Sequence, residues 1–122
     1  MAWDVEHTDE FGAWFTHDLS DEERKRIVAG VDLLEEHGPH LGHPYSSDIR
    51  RSRHGQMREL RVQYEGRPYR VLYAFDPRRV AILLIGGDKT GDDRWYETFV
   101  PKADALYDVH VETLQREGLI DG

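Results

Sequence analysis

The sequence predicts an α+β fold: a small antiparallel-rich β-sheet with two N-terminal helices packed on one face and a C-terminal helix. Three observations lead there. Apolar residues at helical spacing follow Ser20. Three strand-sized runs lie at Arg58–Tyr64, Tyr69–Phe75 and Val80–Ile85. The links between those runs are short, which implies an antiparallel meander. A chain of 122 residues makes one domain, 1–122.

The elements follow in order. Trp3, Val5 and His7 alternate with Asp4 and Glu6, a short first strand. Thr8 or Asp9 caps a helix to about Leu19, with Phe11, Trp14, Phe15 and Asp18 at helical offsets. Ser20 opens a second helix, and Glu23 completes a capping-box pattern. Asp21, Glu22 and Glu23 suit the positive end of its dipole. Ile27, Val31 and Leu34 form one apolar stripe, and Gly38-Pro39 stops the helix. The stretch from Pro39 to Gly55 has few apolar residues and reads as a loop. The three strands end at Glu65-Gly66, Asp76-Pro77 and Gly86-Gly87. Asp92-Asp93 would start a helical segment, and Pro101 suits the first position of a last helix. Its inner face would carry Ala105, Leu106, Val109 and Thr113, and Gly118 would end it. With helices on one face of the sheet, the other face is expected to be open.

Composition narrows the function classes. Hydrophobic residues make up 39% and charged residues 33%, as in a globular protein. No apolar run approaches the ~20 residues of a membrane span. The acidic start lacks the pattern of a secretory signal, so a cytoplasmic protein is expected. With no cysteine there is no disulfide, thiol nucleophile or thiolate metal site. The net charge of −8 is unevenly spread: −9 over residues 1–48, +6 over 49–79 and −5 over 80–122. A basic middle between acidic flanks suits a polyanion or an acidic partner. Pairing of those arginines with the acidic flanks is the plainer alternative.

Strand alternation puts Glu59, Arg61 and Gln63 on one side and Leu60, Val62 and Tyr64 on the other. Arg61 and Arg70 both point to the expected open face. Arg70 interrupts the apolar run Tyr69-Arg70-Val71-Leu72-Tyr73, which demands a task or a partner. Either it serves chemistry or it pairs with Glu59 across the strands. On an open face its removal would leave no core cavity, so Arg70→Ala is expected to stay folded. Gly86-Gly87-Asp88-Lys89-Thr90-Gly91 lacks the spacing of a phosphate loop and reads as a strand exit bringing Lys89 to the sheet edge. His37, His40 and His43 are split by Gly38-Pro39 and do not share a helix face, so no metal is expected. His54 precedes the basic strand and is able to move protons near neutral pH. No Ser-His-Asp or paired-carboxylate pattern stands out.

The run Met57-Arg58-Glu59-Leu60-Arg61, then Tyr69-Arg70-Val71-Leu72-Tyr73, then Ile82-Leu83-Leu84-Ile85 and Lys89, resembles the RelE/ParE toxin superfamily. Within it the pattern is most similar to HigB-type toxins related to phage Gp49 proteins. The resemblance implies a toxin of a type II toxin–antitoxin system that cleaves messenger RNA, commonly in the ribosomal A site. The 2′-hydroxyl attacks the adjacent phosphate while basic side chains stabilise the developing charge, with no cofactor or metal. It implies catalytic roles for Arg61, Arg70, Lys89 and Tyr96, with His54 as a further candidate. Arg51, Arg53, Arg58 and Trp95 are the candidate RNA contacts, Trp95 or Tyr96 stacking on a base. The implied partners are the ribosome, messenger RNA and a helix-turn-helix, HigA-like antitoxin. ParE-type relatives inhibit DNA gyrase instead, so an inhibitor of gyrase or another protein target is the alternative. Glu59 stands where some members carry lysine, and is either a base or a partner of Arg61 or Arg70.

Overall fold

The structure, a computed structural model, describes residues 2–122. A short strand β1 (Val5–His7) leads into helix α1 (Asp9–Ala13). Thr8 caps α1 by accepting the Phe11 amide at 3.0 Å. The expected single helix to Leu19 is instead broken by a wider π-helical turn, Trp14–Asp18. Helix α2 (Asp21–His37) starts at the full capping box of Ser20 and Glu23. Its stripe buries Ile27 and Leu34 completely, with Val31 packed at the margin.

The stretch read as loop holds a three-residue strand, β2 (Ser46–Asp48). Strands β3 (Arg58–Tyr64), β4 (Arg67–Phe75) and β5 (Ala81–Asp88) form the expected antiparallel meander. The sheet order is β1-β5-β4-β3-β2, with β1 parallel to β5. Helix α3 (Trp95–Arg116) closes the chain. No helix among the described residues is long and apolar enough to cross a membrane.

The second face of the sheet is not open. On the α2 side, Leu60, Val62, Tyr69, Val71 and Leu83 pack with Ile27 and Leu34. On the other side, Leu72, Ile82 and Leu84 pack with Trp95, Val100 and Ala103 of α3. The cause is visible in β4 and β5, whose residues are apolar on both faces, the pattern of strands buried between two layers.

Helix α3 also begins earlier than expected. Pro101 lies in its interior, six residues past Trp95. Packing of the Trp95 indole outweighs the hydrogen bond that proline forfeits. The buried set is therefore Trp95, Val100, Ala103, Asp104 and Leu114, while Val109 stays 57% exposed. Gly86 and Gly87 do not end the strand. A Cβ on Gly86 would lie 2.4 Å from the Trp14 ring, and one on Gly87 would lie 2.7 Å from Nε1 of Trp95. The two glycines let two tryptophans press on β5 from opposite sides, one from each helical layer.

Candidate active site

The site grows from the pairing of β3 with β4. Arg61 stands directly opposite Arg70, so two guanidinium groups share one face of the sheet. Like charges so placed repel unless an anion lies between them. Glu59 supplies it. Alternation returns Glu59 to the face of Arg61, and burial leaves it 5% exposed.

Each carboxylate oxygen of Glu59 meets one hydroxyl and one guanidinium. Oε1 accepts from the Tyr96 hydroxyl at 2.6 Å and lies 3.3 Å from Nε of Arg70. Oε2 accepts from Ser47 Oγ at 2.6 Å and from Nη1 of Arg61 at 3.3 Å. The donors come from β2, β3, β4 and α3. Arg70 is buried beneath α3, donates to the Tyr69 carbonyl at 2.9 Å and reaches the Tyr96 oxygen at 3.4 Å. Lys89, just past β5, places Nζ 5.4 Å from the centre of the Tyr96 ring. Two guanidinium groups thus flank one carboxylate, with Lys89 over the ring of the tyrosine that donates to it, and Arg61 and Lys89 remain partly exposed. Burial raises the Tyr96 pKa, and so does its hydrogen bond to Glu59, with Arg70 opposing. At neutral pH Tyr96 is a phenol and a donor.

The sequence candidates divide accordingly. Arg61, Arg70, Lys89 and Tyr96 are brought together. Arg70 does not sit on an open face: it is buried and ion-paired with Glu59, so the ground for expecting Arg70→Ala to stay folded is overturned. Removal would take the buried cation from a buried carboxylate. Trp95 is also buried, 1% exposed, stacked on Phe99 at 4.6 Å, and offers no ring to a base.

His54 lies apart. Its Nε2 is 2.8 Å from Asp108, twelve residues beyond Tyr96 on α3, and so about 18 Å along the helix. Arg53 pairs with Asp108 and Arg51 with Glu97 at 3.6 Å, while Asp104 accepts from Ser52 Oγ at 2.5 Å. These contacts staple the basic loop to α3. Arg58 points to the opposite face, bonding Asp48, Ser46 Oγ and the Leu41 carbonyl. The plainer reading of the basic middle, pairing with acidic flanks, holds for Arg51, Arg53 and Arg58.

Ser47 was missed, because three polar residues on an edge strand carry no apolar alternation. Glu59 was noticed, but its central place was not. The signal available was its position between two cross-strand arginines.

The profile of the family "Phage derived protein Gp49-like" matches residues 14–108, which include every member of the cluster. A Mycobacterium tuberculosis (strain ATCC 25618 / H37Rv) protein named "Putative toxin HigB2" is 37% identical over 113 residues, covering 91% of this chain and 55% of that protein. Another from the same organism, named "Putative toxin HigB3", is 47% identical over 79 residues, covering 64% of this chain and 68% of that protein. The chain thus spans between about half and two thirds of the length of these curated relatives. With the family profile matched over residues 14–108 and relatives matched over most of its length, the chain belongs to the phage-derived Gp49-like family, of the HigB type.

Proposed function

We propose that the protein is the toxin of a type II toxin–antitoxin system and acts as an endonuclease on messenger RNA at the ribosome. The observation that carries this reading is the Glu59 carboxylate ringed by Arg61, Arg70, Tyr96 and Ser47, with Lys89 alongside. Cleavage by a neighbouring 2′-hydroxyl needs a proton acceptor, a proton donor and positive charge at the phosphate. The 2′-oxygen forms a bond to phosphorus as the 5′-oxygen leaves, giving a cyclic phosphate. Glu59 takes the 2′-hydroxyl proton, and the Tyr96 phenol gives one to the departing oxygen. Arg61 and Lys89, the cations with exposed surface, stabilise the charge that grows on the phosphate. Arg70 is a positioning residue that acts through Glu59.

The toxin reading also draws on the names of the relatives, and it brings a cognate antitoxin, expected to be a HigA-like helix-turn-helix protein, and a cytoplasmic location beside ribosomes. Incubation with translating ribosomes, followed by mapping of messenger ends, tests it. New 5′ ends should appear with the wild type and fade with Arg61→Ala and Lys89→Ala, both still folded. Toxin expressed alone should slow growth, and co-expression of the antitoxin should relieve it.

One observation favours the alternative, an inhibitor of gyrase or another protein. Arg51, Arg53 and Arg58 are neutralised by acids, and the chain carries a net charge of −8. Inhibition of supercoiling with messengers left intact would establish it.

A further inference from the structure

Cleavage beside Glu59 requires a single-stranded nucleotide held there, and the aromatic rings nearest the carboxylate are occupied. Trp95 is buried against Gly87 and Phe99. Tyr96 gives its hydroxyl to Glu59, carries Lys89 over its ring and meets Trp95 edge-on at 5.3 Å. A base needs an exposed ring. Tyr45 is 51% exposed, and among the described residues it is the aromatic member of the exposed large hydrophobic side chains.

Its position follows from strand register. The Tyr45 carbonyl accepts the Arg61 amide at 2.8 Å, extending the β2–β3 pairing one residue beyond Ser46 and Leu60. Residues directly opposite in an antiparallel pair share a face. Ser46 and Leu60 face α2, where Ser46 bonds the Tyr73 hydroxyl at 2.6 Å. Ser47 and Glu59 face α3 and bond each other. Tyr45 and Arg61 therefore fall on the Glu59 side.

We propose that Tyr45 is the stacking platform for an unpaired RNA base next to the scissile phosphate, with Arg61 across the strand pair holding the phosphate. The inference rests on the endonuclease reading and names its substrate class, single-stranded RNA. Stacking tolerates any base, since every base has a π-face. Tyr45 fixes position more than sequence, and a duplex, whose bases are already stacked, is excluded.

The test uses the full chain on programmed ribosomes, with single-turnover cleavage followed against protein concentration. Stacking of one base is worth ~1–3 kcal/mol, so Tyr45→Ala should raise the half-saturating concentration roughly 5- to 150-fold. The rate at saturation should fall far less. Tyr45→Phe keeps the ring and should behave as wild type, and all variants should melt alike, because the side chain is half exposed. In a second arm, a short single-stranded RNA carrying 2-aminopurine should be quenched by wild type and Tyr45→Phe but not by Tyr45→Ala. If wild type cuts, Arg61→Ala does not, and Tyr45→Ala saturates normally, the nuclease reading stands and the platform falls. Equal damage from Phe and Ala also removes it, since the ring would then be irrelevant. Quenching without cutting keeps the platform and removes the nuclease; neither quenching nor cutting removes both.

Discussion

Two of the buried carboxylates, Asp76 and Glu59, are built differently. Asp76, 4% exposed, sits in the turn between β4 and β5. It accepts the Arg78 amide at 2.8 Å and the Val80 amide at 3.4 Å, and it pairs with the Arg78 and His110 side chains, each at 2.8 Å. Glu59, 5% exposed, takes side-chain donors from four strands and helices, and none of its bonds among the described residues comes from a backbone amide. Backbone donors are fixed by the turn and cannot leave without unmaking it. Side-chain donors can swing toward a ligand. Asp76 is thus a fastener, whereas Glu59 keeps partners that can be lent to a substrate. Arg78, shared between Asp76 and Glu6, ties β1 to the same fastener.

The sharpest way to break the comparison is to delete each partner. Asp76→Ala leaves two turn amides and the His110 ring without their acceptor and Arg78 with Glu6 alone, and should cost about 3–5 kcal/mol, read as a lower urea midpoint. Arg70→Ala should cost a similar amount by taking away the buried cation of Glu59 and leaving it only the partly exposed Arg61 and two hydroxyls. A double change of Glu59→Leu with Arg70→Met should recover most of that stability yet no cleavage. If Asp76→Ala proves harmless, the fastener assignment is wrong.

Chemistry separates the two next. Glu59→Gln keeps the shape and two hydrogen-bonding atoms but loses the proton acceptor. Messenger cleavage on ribosomes should drop ~10²–10⁴-fold while unfolding shifts little. Asp76→Asn should do the reverse, lowering the urea midpoint and sparing the rate per folded molecule.

The effect of pH is smaller and concerns the fasteners. Burial would raise the Asp76 pKa, but hydrogen bonds from Arg78 and His110 outweigh it, and the group sits below the ordinary carboxylate range. Glu23 is lowered too, chiefly by the Ser20 amide and then by the Tyr69 hydroxyl. A depressed folded pKa stabilises above the unfolded value and is lost as pH falls through the folded one. Stability should therefore hold from neutral down to about pH 4 and decline below it. Asp76→Asn should flatten that acid limb in a urea titration. The smallest change is at the α2 cap: Ser20→Ala should cost about 1 kcal/mol in thermal unfolding and leave cleavage unaltered.

Legibility in the sequence followed the strength of local signals. The capping box of Ser20 and Glu23, the Ile27–Val31–Leu34 stripe and the three meander strands are written in short-range pattern, and they fold as read, except that the last strand runs on through Gly86-Gly87 to Asp88. Strand β2 is not, because Ser46, Ser47 and Asp48 pair only through tertiary register. The start of α3 is not either, since a buried indole overrode the preference of Pro101. That misplacement hid the covered face and, Leu106 apart, exchanged the inner residues of the helix. Arg61, Arg70, Lys89 and Tyr96 were legible as a set, through resemblance and alternation together. Their organisation around Glu59 was not, because only the three-dimensional fold brings Ser47 and Tyr96 to opposite oxygens of one carboxylate.

At Gly86-Gly87 the sheet is no thicker than a main chain, with an indole bearing on each side. Here one main chain separates the N-terminal helical layer from the helix that carries Tyr96. The pair gives adjacent positions opposite addresses. A methyl group added at Gly86 pushes Trp14 and the N-terminal layer, whereas one added at Gly87 pushes Trp95, and with it the tyrosine that grips Glu59.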